Sequence, residues 1–541
     1  GSGREPFWTI GASAPCVARI SHQGAGQFRQ MVRKSIMGLV VTPLDTPKPT
    51  PTECRPQPHS LGNLGSRELV WRFDGGDITS DGGGLLLKQV EERTGIVRRF
   101  AACFTDYRVA DRIEHPLVDL LAQRVYGLVL GYEDLNDHDE LRRDPMLAVI
   151  IGKDDPKGEQ RRRAQDRGKA LAGKSTLNRL ELTPADFDPD GPWLASDAAR
   201  GEEPPGQIPK RQYKKIVMDP ESIDQLLVDL FVEAHAEPPQ RIILDLDATD
   251  DPLHGEQEGR FFHGYYQEYC YLPLYIFCGE HLLCARLQTA DMDPAADAVP
   301  EVKRIVAHLR AHWPAVRIML RGDSGFCREK LMAWCESQGV DYAFGVAQNE
   351  RLNREIEAEL AEAARLYEQT KQAARVFKDF RYQTKQSWSR ERRVVGKAEH
   401  LEKGANPRFV VTSLSAEEFP ARALYEDLYC GRGEMENRIK EQQLYLFADR
   451  TSTHKMWSNQ LRLYCSSIGY VMLQSLRRLG LAGTEMAKAQ CQTIRLKLLK
   501  IGAQVRVTVR KVWVSLASGY PYAELFTRVV NNLAGAAPLR C

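Results

Sequence analysis

Arg241-Ile242-Ile243-Leu244-Asp245-Leu246-Asp247, running on into Ala248-Thr249-Asp250-Asp251-Pro252, decides how the rest of the chain is read. A short apolar run that ends in a polar, proline-containing turn predicts a buried strand. Its last residue is an acid, and the end of such a strand in an α/β sheet is where ligands usually bind. Capping of the following turn is the plainer task for the same carboxylate. Asp245 lies two residues earlier and shares a face with Asp247 by strand period, so both acids stay open as candidates.

Working outward, Asp219-Pro220 starts an amphipathic helix over 219–236, a cap followed by a first-turn proline. After the central strand, further strands are predicted at 269–277, 282–287, 316–320 and 342–346, with helices at 302–312 and 327–337. Strands interleaved with helices predict an α/β core over 206–347. A charged helix at 350–370 then gives way to β-prone pieces at 375–382, 389–395 and 409–412, a β-rich insertion over 348–415. Helices return at 423–443, 455–479 and 485–501, so the core is expected to resume over 416–483, with a basic helical C-terminal region over 484–541. Upstream, 66–205 reads as a helical N-terminal domain closed by Glu203-Pro204-Pro205-Gly206-Gln207-Ile208-Pro209. Residues 1–65 read as a disordered leader with repeated prolines between Pro43 and Pro51, and Gly1-Ser2-Gly3 as a cloning scar.

The chain has 541 residues, 43% of them hydrophobic and 27% charged, which fits a multidomain globular protein. Lys and Arg total 74 against 72 Asp and Glu, so any affinity for nucleic acid must come from where charge sits. The 12 cysteines form no C-x-x-C pair, which argues against a zinc ribbon and a secreted disulfide framework. The most apolar helical stretch, 468–481, contains Arg477 and Arg478 and falls short of a membrane span. A soluble, cytoplasmic protein is expected.

Two more acids stand out. Asp323, in Arg321-Gly322-Asp323-Ser324-Gly325-Phe326, again follows an apolar strand, where it is also an ordinary helix cap. Glu436 lies in a helix where Tyr429, Arg432, Glu436 and Lys440 follow spacings of 3, 4 and 4 and share one face. A solvated ion-pair face is the bland account of that stripe. Carboxylates converging from separate segments are what a hard divalent cation needs.

These segments resemble the insertion-sequence DDE transposases with a Tyr-Arg-Glu-Lys signature, and the wider pattern looks like the insertion-sequence 1380 group. It takes in Gly131-Tyr132-Glu133-Asp134-Leu135-Asn136-Asp137, His254-Gly255-Glu256-Gln257-Glu258-Gly259, Tyr269-Cys270-Tyr271-Leu272-Pro273 and Asn406-Pro407-Arg408-Phe409. The resemblance runs from about residue 66 to the C-terminus. It implies a ribonuclease-H-like catalytic core in which Asp247, Asp323 and Glu436 bind two Mg²⁺ ions, with Mn²⁺ able to substitute, for phosphoryl transfer on DNA. It also implies a β insertion between the second and third acids, and a homodimer on paired double-stranded DNA ends in the bacterial nucleoid. The signature's last Lys is expected seven residues after Glu436, where this chain has Gln443; Lys440 is the nearest replacement.

Basic residues cluster in three runs: 157–179, 371–403 and 477–511. The expected DNA contacts are Arg161, Arg162, Arg163, Lys174 and Arg179 in the first run and Arg392 and Arg393 in the second, with Tyr429, Arg432 and Lys440 near the cut. Trp388 is a candidate for stacking an extruded base or, equally, a core residue. Gly168 to Ser175 satisfies a phosphate-loop pattern, but that pattern works only between a buried strand and a helix. The preceding Gln160-Arg161-Arg162-Arg163 cannot be such a strand, so no nucleotide cofactor is expected. A nuclease without strand joining and a catalytically idle DNA binder remain as rivals.

Overall fold

The structure, a computed structural model, describes residues 58–182 and 216–535, in two compact units divided after Asp74. The first shows an exposed antiparallel hairpin, His59–Leu64 with Arg67–Trp71. The leader expected over 1–65 therefore ends in a strand; residues 1–57, scar and proline run included, lie outside the described residues, as does the whole 203–209 link.

In the second unit one large mixed sheet sets the frame. We label its strands β1 (Arg241–Ala248), β2 (Leu274–Cys278), β3 (His281–Arg286), β4 (Arg317–Gly322), β5 (Asp341–Val346), β6 (Ala374–Tyr382), β7 (Arg392–Leu401) and β8 (Arg408–Thr412). The order is β3-β2-β1-β4-β5-β8-β7-β6, with the short strand Gly404–Ala405 on β7. β1 lies between antiparallel β2 and parallel β4, and β5 runs parallel to β4. The β-rich segment is not a separate body: β8 pairs antiparallel with β5, and the sheet simply continues.

Strand period sorts the side chains. Ile242, Leu244 and Leu246 of β1, with Ile318 and Leu320 of β4, enter the core that includes helices α1 (Pro220–Glu233), α2 (Ala298–His312) and α3 (Glu329–Gln338). The alternate residues, Ile243, Asp245 and Asp247, with Met319 and Arg321, face the opposite way. There Met319 and Ile243 pack beneath a helical run that carries Leu424, Tyr425 and Leu428. That run, expected as one helix, changes winding: wide turns at Leu424–Tyr429, a tight 3₁₀ turn at Cys430–Arg432, α4 (Gly433–Lys440), and wide turns again at Glu441–Tyr445.

The largest core joins distant parts of the sequence. Helix Leu117–Leu130 packs on α5 (Met456–Leu479), and Leu86, Phe100 and Leu121 share its interior with Tyr470, Leu498 and Val529. The basic C-terminal region was expected to be helical, and Cys491–Ile494 with Arg495–Leu499 and Ala523–Gly535 are; between them, however, Ala503–Val507 and Val512–Leu516 form a hairpin whose first strand pairs with Ile78–Thr79. Alternation at Val505, Val507, Val512 and Val514 around a Thr508–Lys511 turn fixes that outcome. Among the described residues no helix is long and apolar enough to cross a membrane.

Candidate active site

Asp247 lies near the end of β1, its side chain 15% exposed. Asp323 follows the adjacent strand β4 and caps the Ser324–Phe326 turn, accepting from the Gly325 N–H at 2.8 Å. Glu436 comes from α4, above this end of the sheet; its side chain is 44% exposed and forms the rim. Between them lies Arg432. Its guanidinium donates to Glu436 Oε1 at 2.7 Å and stands 3.7 Å from Asp247 Oδ1. The 3₁₀ turn, at three residues per turn, aligns Tyr429 with Arg432, and α-helical spacing then brings Glu436 and Lys440 onto the same side.

Tyr429 is held by a missing side chain. A Cβ on Gly345 of β5 would lie 2.6 Å from the Tyr429 hydroxyl and 3.0 Å from the Ser324 nitrogen, so glycine lets the ring settle beside the Asp323 turn. Burial raises the Tyr429 hydroxyl pKa, with Asp323 adding to the rise. Burial also raises the Asp247 carboxyl; Arg432 pulls it back, and repulsion from Asp323 and Glu436 helps push it to about 7. Asp247 thus lies close enough to Asp323 and Glu436 to feel the charge of both. Among the described residues no group of three His, Cys, Asp or Glu side chains is arranged to hold a metal ion. Here Asp247 and Glu436 share the Arg432 guanidinium.

Asp245, the alternative to Asp247, is committed elsewhere. It is 4% exposed and takes a two-pronged bond from Arg321, Nε to Oδ1 at 2.5 Å and Nη2 to Oδ2 at 2.8 Å. Arg321 stands directly opposite Asp245 in the parallel β1–β4 register. Its remaining nitrogen donates to the Leu428 carbonyl, and a Cβ on Gly431 would come within 2.7 Å of it. Arg321 therefore ties the sheet to the helical run that bears Arg432 and Glu436. The sequence quoted Arg321 in a motif without its role; the signal lay in its matching place on the neighbouring strand.

Gln443 also faces inward. Its amide donates to Asp251 Oδ1 at 2.9 Å, and Asp251 is fully buried, its carboxyl held well above the usual range by burial. The folded form holds that proton to higher pH than the unfolded chain does, so this group's contribution to stability falls as pH rises above about 4. Gln443→Lys supplies a counter-charge and is expected to flatten that slope, as Asp251→Asn does. Melting temperatures of the three proteins between pH 4 and pH 7 check it. Lys440, by contrast, is exposed.

Several of the expected DNA contacts are engaged within the fold. Trp388 is 6% exposed and packs edge-on against Tyr382. Arg392, 2% exposed, is forked between Glu329 and Glu336, and Arg393 spends its donors on Asp379 and the carbonyls of Leu414, Ser415 and Phe419. Turning either arginine toward DNA would break its ion pairs, and Trp388 is packed in the core. Arg161 is bound to Glu114 and to the Lys169 carbonyl. Arg162, Arg163, Lys174 and Arg179 are exposed, Lys174 reaching Asn136 at 3.0 Å and Asp139 at 3.5 Å. The Gly168–Ser175 stretch follows a 3₁₀ turn, Ala164–Asp166, not a strand, which is not the setting a phosphate loop needs.

Two exposed hairpins escaped the sequence reading. One carries Arg506, Lys511 and Trp513 near the C-terminus, both cations lying over the indole. The other, Phe261–His263 with Glu268–Tyr271, follows β1 directly. Its aromatic doublets, Phe261-Phe262 and Tyr265-Tyr266 around Gly264, were the available signal.

A family model described as transposase DDE domain group 1 matches residues 61–538. No curated protein matches. A solved structure, the cryo-EM structure of piggyBac transposase synaptic complex with hairpin DNA, is similar at 12% identity over 77% of this chain and 80% of that one, with a TM-score of 0.35. With the family model spanning nearly the whole described chain, this protein belongs to the transposase DDE domain group 1 family.

Proposed function

We propose that the chain is a DNA transposase that binds the terminal repeats of its insertion sequence, cuts at their ends and joins them to target DNA. One observation carries the reading: three acids come from separate segments, Asp247 feels the charge of both Asp323 and Glu436, and it shares Arg432 with Glu436. The central β1, with an antiparallel pair on one side and a parallel pair on the other, supports a ribonuclease-H-like core, and the motifs quoted above support the insertion-sequence 1380 kind.

Asp247, Asp323 and Glu436 are the residues assigned to Mg²⁺, two ions with Mn²⁺ able to substitute; oxygen donors around an electropositive deficit suit a hard cation. When bound, such metals would activate the attacking water or 3′-hydroxyl and stabilise the leaving oxygen. Arg432 and Lys440 are assigned to phosphate at the cut, with Tyr429 packed beside the Asp323 turn to hold their helix in place. Arg162, Arg163, Lys174 and Arg179 are assigned to the duplex backbone, and paired ends call for a homodimer on DNA.

Pre-cleaved transposon ends supplied with target DNA and Mg²⁺ test this. Joined product is expected, and chelation with EDTA should remove it. Cutting without joining would leave a nuclease, and a mobility shift alone an idle binder; either result overturns the proposal.

A further inference from the structure

Two arginines at the site are held in opposite ways. Arg321 is fixed: it bonds both oxygens of Asp245 and the Leu428 carbonyl, and it is buried. Arg432 is held loosely. Among the described residues it has one hydrogen bond, Nη2 to Glu436 Oε1 at 2.7 Å. Its Nη1 stands 3.7 Å from Asp247 Oδ1, an ion pair too long to be a hydrogen bond. The Arg432 side chain is 20% exposed and its Glu436 partner 44%, so water reaches the contact. Space is open beside it as well, since a Cβ on the adjoining Gly433 would meet nothing within 4 Å. Both of its partners are carboxylates assigned to the divalent cation. A hard cation seeks those same oxygens, and two positive charges crowded onto them repel. Phosphate, in turn, accepts from a guanidinium through the same fork that a carboxylate uses.

We propose that Arg432 is an exchangeable counter-charge. Without DNA it competes with the divalent cation for Asp247 and Glu436; a DNA end draws it away to phosphate and leaves both carboxylates to the metal. DNA binding and metal loading then reinforce each other, and by linkage the coupling is reciprocal. The inference rests on the transposase reading and adds a means of regulation to its site. The competing account is a permanent ion pair, i to i+4 along the helical run, that stays closed whatever binds. Lys440 supplies the control. It carries the same charge on the same helix α4, it is exposed, and among the described residues it pairs with no acid.

The test measures metal binding by the full chain and needs no cleavage. Mn²⁺ is titrated calorimetrically into the DNA-free wild type, Arg432→Gln and Lys440→Gln, with Asp247→Asn marking the heat that belongs to the acids. Arg432→Gln is expected to bind Mn²⁺ ~10-fold more tightly than the wild type, within the usual range for coupled sites. Lys440→Gln should match the wild type, and Arg432→Lys, which keeps the charge, should lie between. Saturating duplex DNA, with Ca²⁺ as the titrant so that nothing is cut, should then raise the wild type's metal affinity ~10-fold more than that of Arg432→Gln. Direct bridging of metal to phosphate is common to both proteins and cancels in that comparison. Equal Mn²⁺ affinities for the wild type and Arg432→Gln overturn the proposal in favour of the permanent pair and leave the transposase reading standing. An equal tightening by Lys440→Gln also overturns it, since that is a general effect of charge. Absence of any binding that Asp247→Asn removes sinks the metal assignment, and the proposal with it.

Discussion

Asp247→Asn is expected to slow Mg²⁺-dependent DNA cleavage by ~10³-fold or more, the scale of several kcal/mol of lost charge stabilisation at phosphorus. Duplex binding should persist, because the phosphate contacts assigned above lie on other residues. The variant should also fold. Asp247 is a buried carboxyl pushed up to about 7, mainly by burial, with Asp323 and Glu436 repelling it, so removing its charge relieves the folded state at neutral pH. Asp323→Asn and Glu436→Gln are expected to fail in cleavage in the same way. Single-turnover cleavage and mobility-shift titrations on the same oligonucleotide separate chemistry from binding. A variant of any of the three that cuts at the wild-type rate removes that residue from the active site. Because Asp247 and Glu436 share Arg432, their double variant should be little worse than either single one.

Much of this arrangement could be read from the chain, and the parts that could not share a cause. Short apolar runs marked β1, β3, β4 and β5, because burial on both faces leaves little room for polar residues, while the single strand expected over 269–277 divides into the hairpin strand Glu268–Tyr271 and β2. The three acids were legible because each follows its own local pattern: two strand ends and one helical stripe. The choice between Asp245 and Asp247 was not, since period 2 puts both on one face and only the register with β4 gives Asp245 its Arg321. Arg392 and Arg393 looked like an exposed basic run for the same reason. Glu329 and Glu336 arrive from outside that run, and Asp379 lies within it but reaches Arg393 only through the pairing of β6 with β7, which leaves no mark in local composition. The C-terminal hairpin was a local error: its β alternation was outweighed by neighbouring basic residues, while Arg477 and Arg495 are buried against Glu441 and the Leu128 and Val129 carbonyls.

The Arg321–Asp245 pair yields the second large effect, this time on stability and geometry together. Arg321→Met leaves Asp245 as an uncompensated charge in a site 4% exposed, which costs about 3–5 kcal/mol when one partner of a buried pair is removed. Asp245→Leu strands the guanidinium and should cost a similar amount, read as a fall in melting temperature. Replacing both together removes both charges, and most of that stability should return. Activity should not return with it. Without Arg321 nothing bonds the Leu428 carbonyl to the sheet, and the space kept free by Gly431 loses its occupant, so the turn leading into Arg432 and Glu436 is free to shift. A displacement of about 1 Å at reacting groups costs ~10²-fold in rate. The double variant is therefore expected to melt near the wild-type temperature and cut ~10²-fold more slowly, with the loss in kcat and not in DNA affinity. Wild-type cleavage by a stable double variant would mean that the pair only fills the space between sheet and helix, and that Glu436 is positioned by α4 alone.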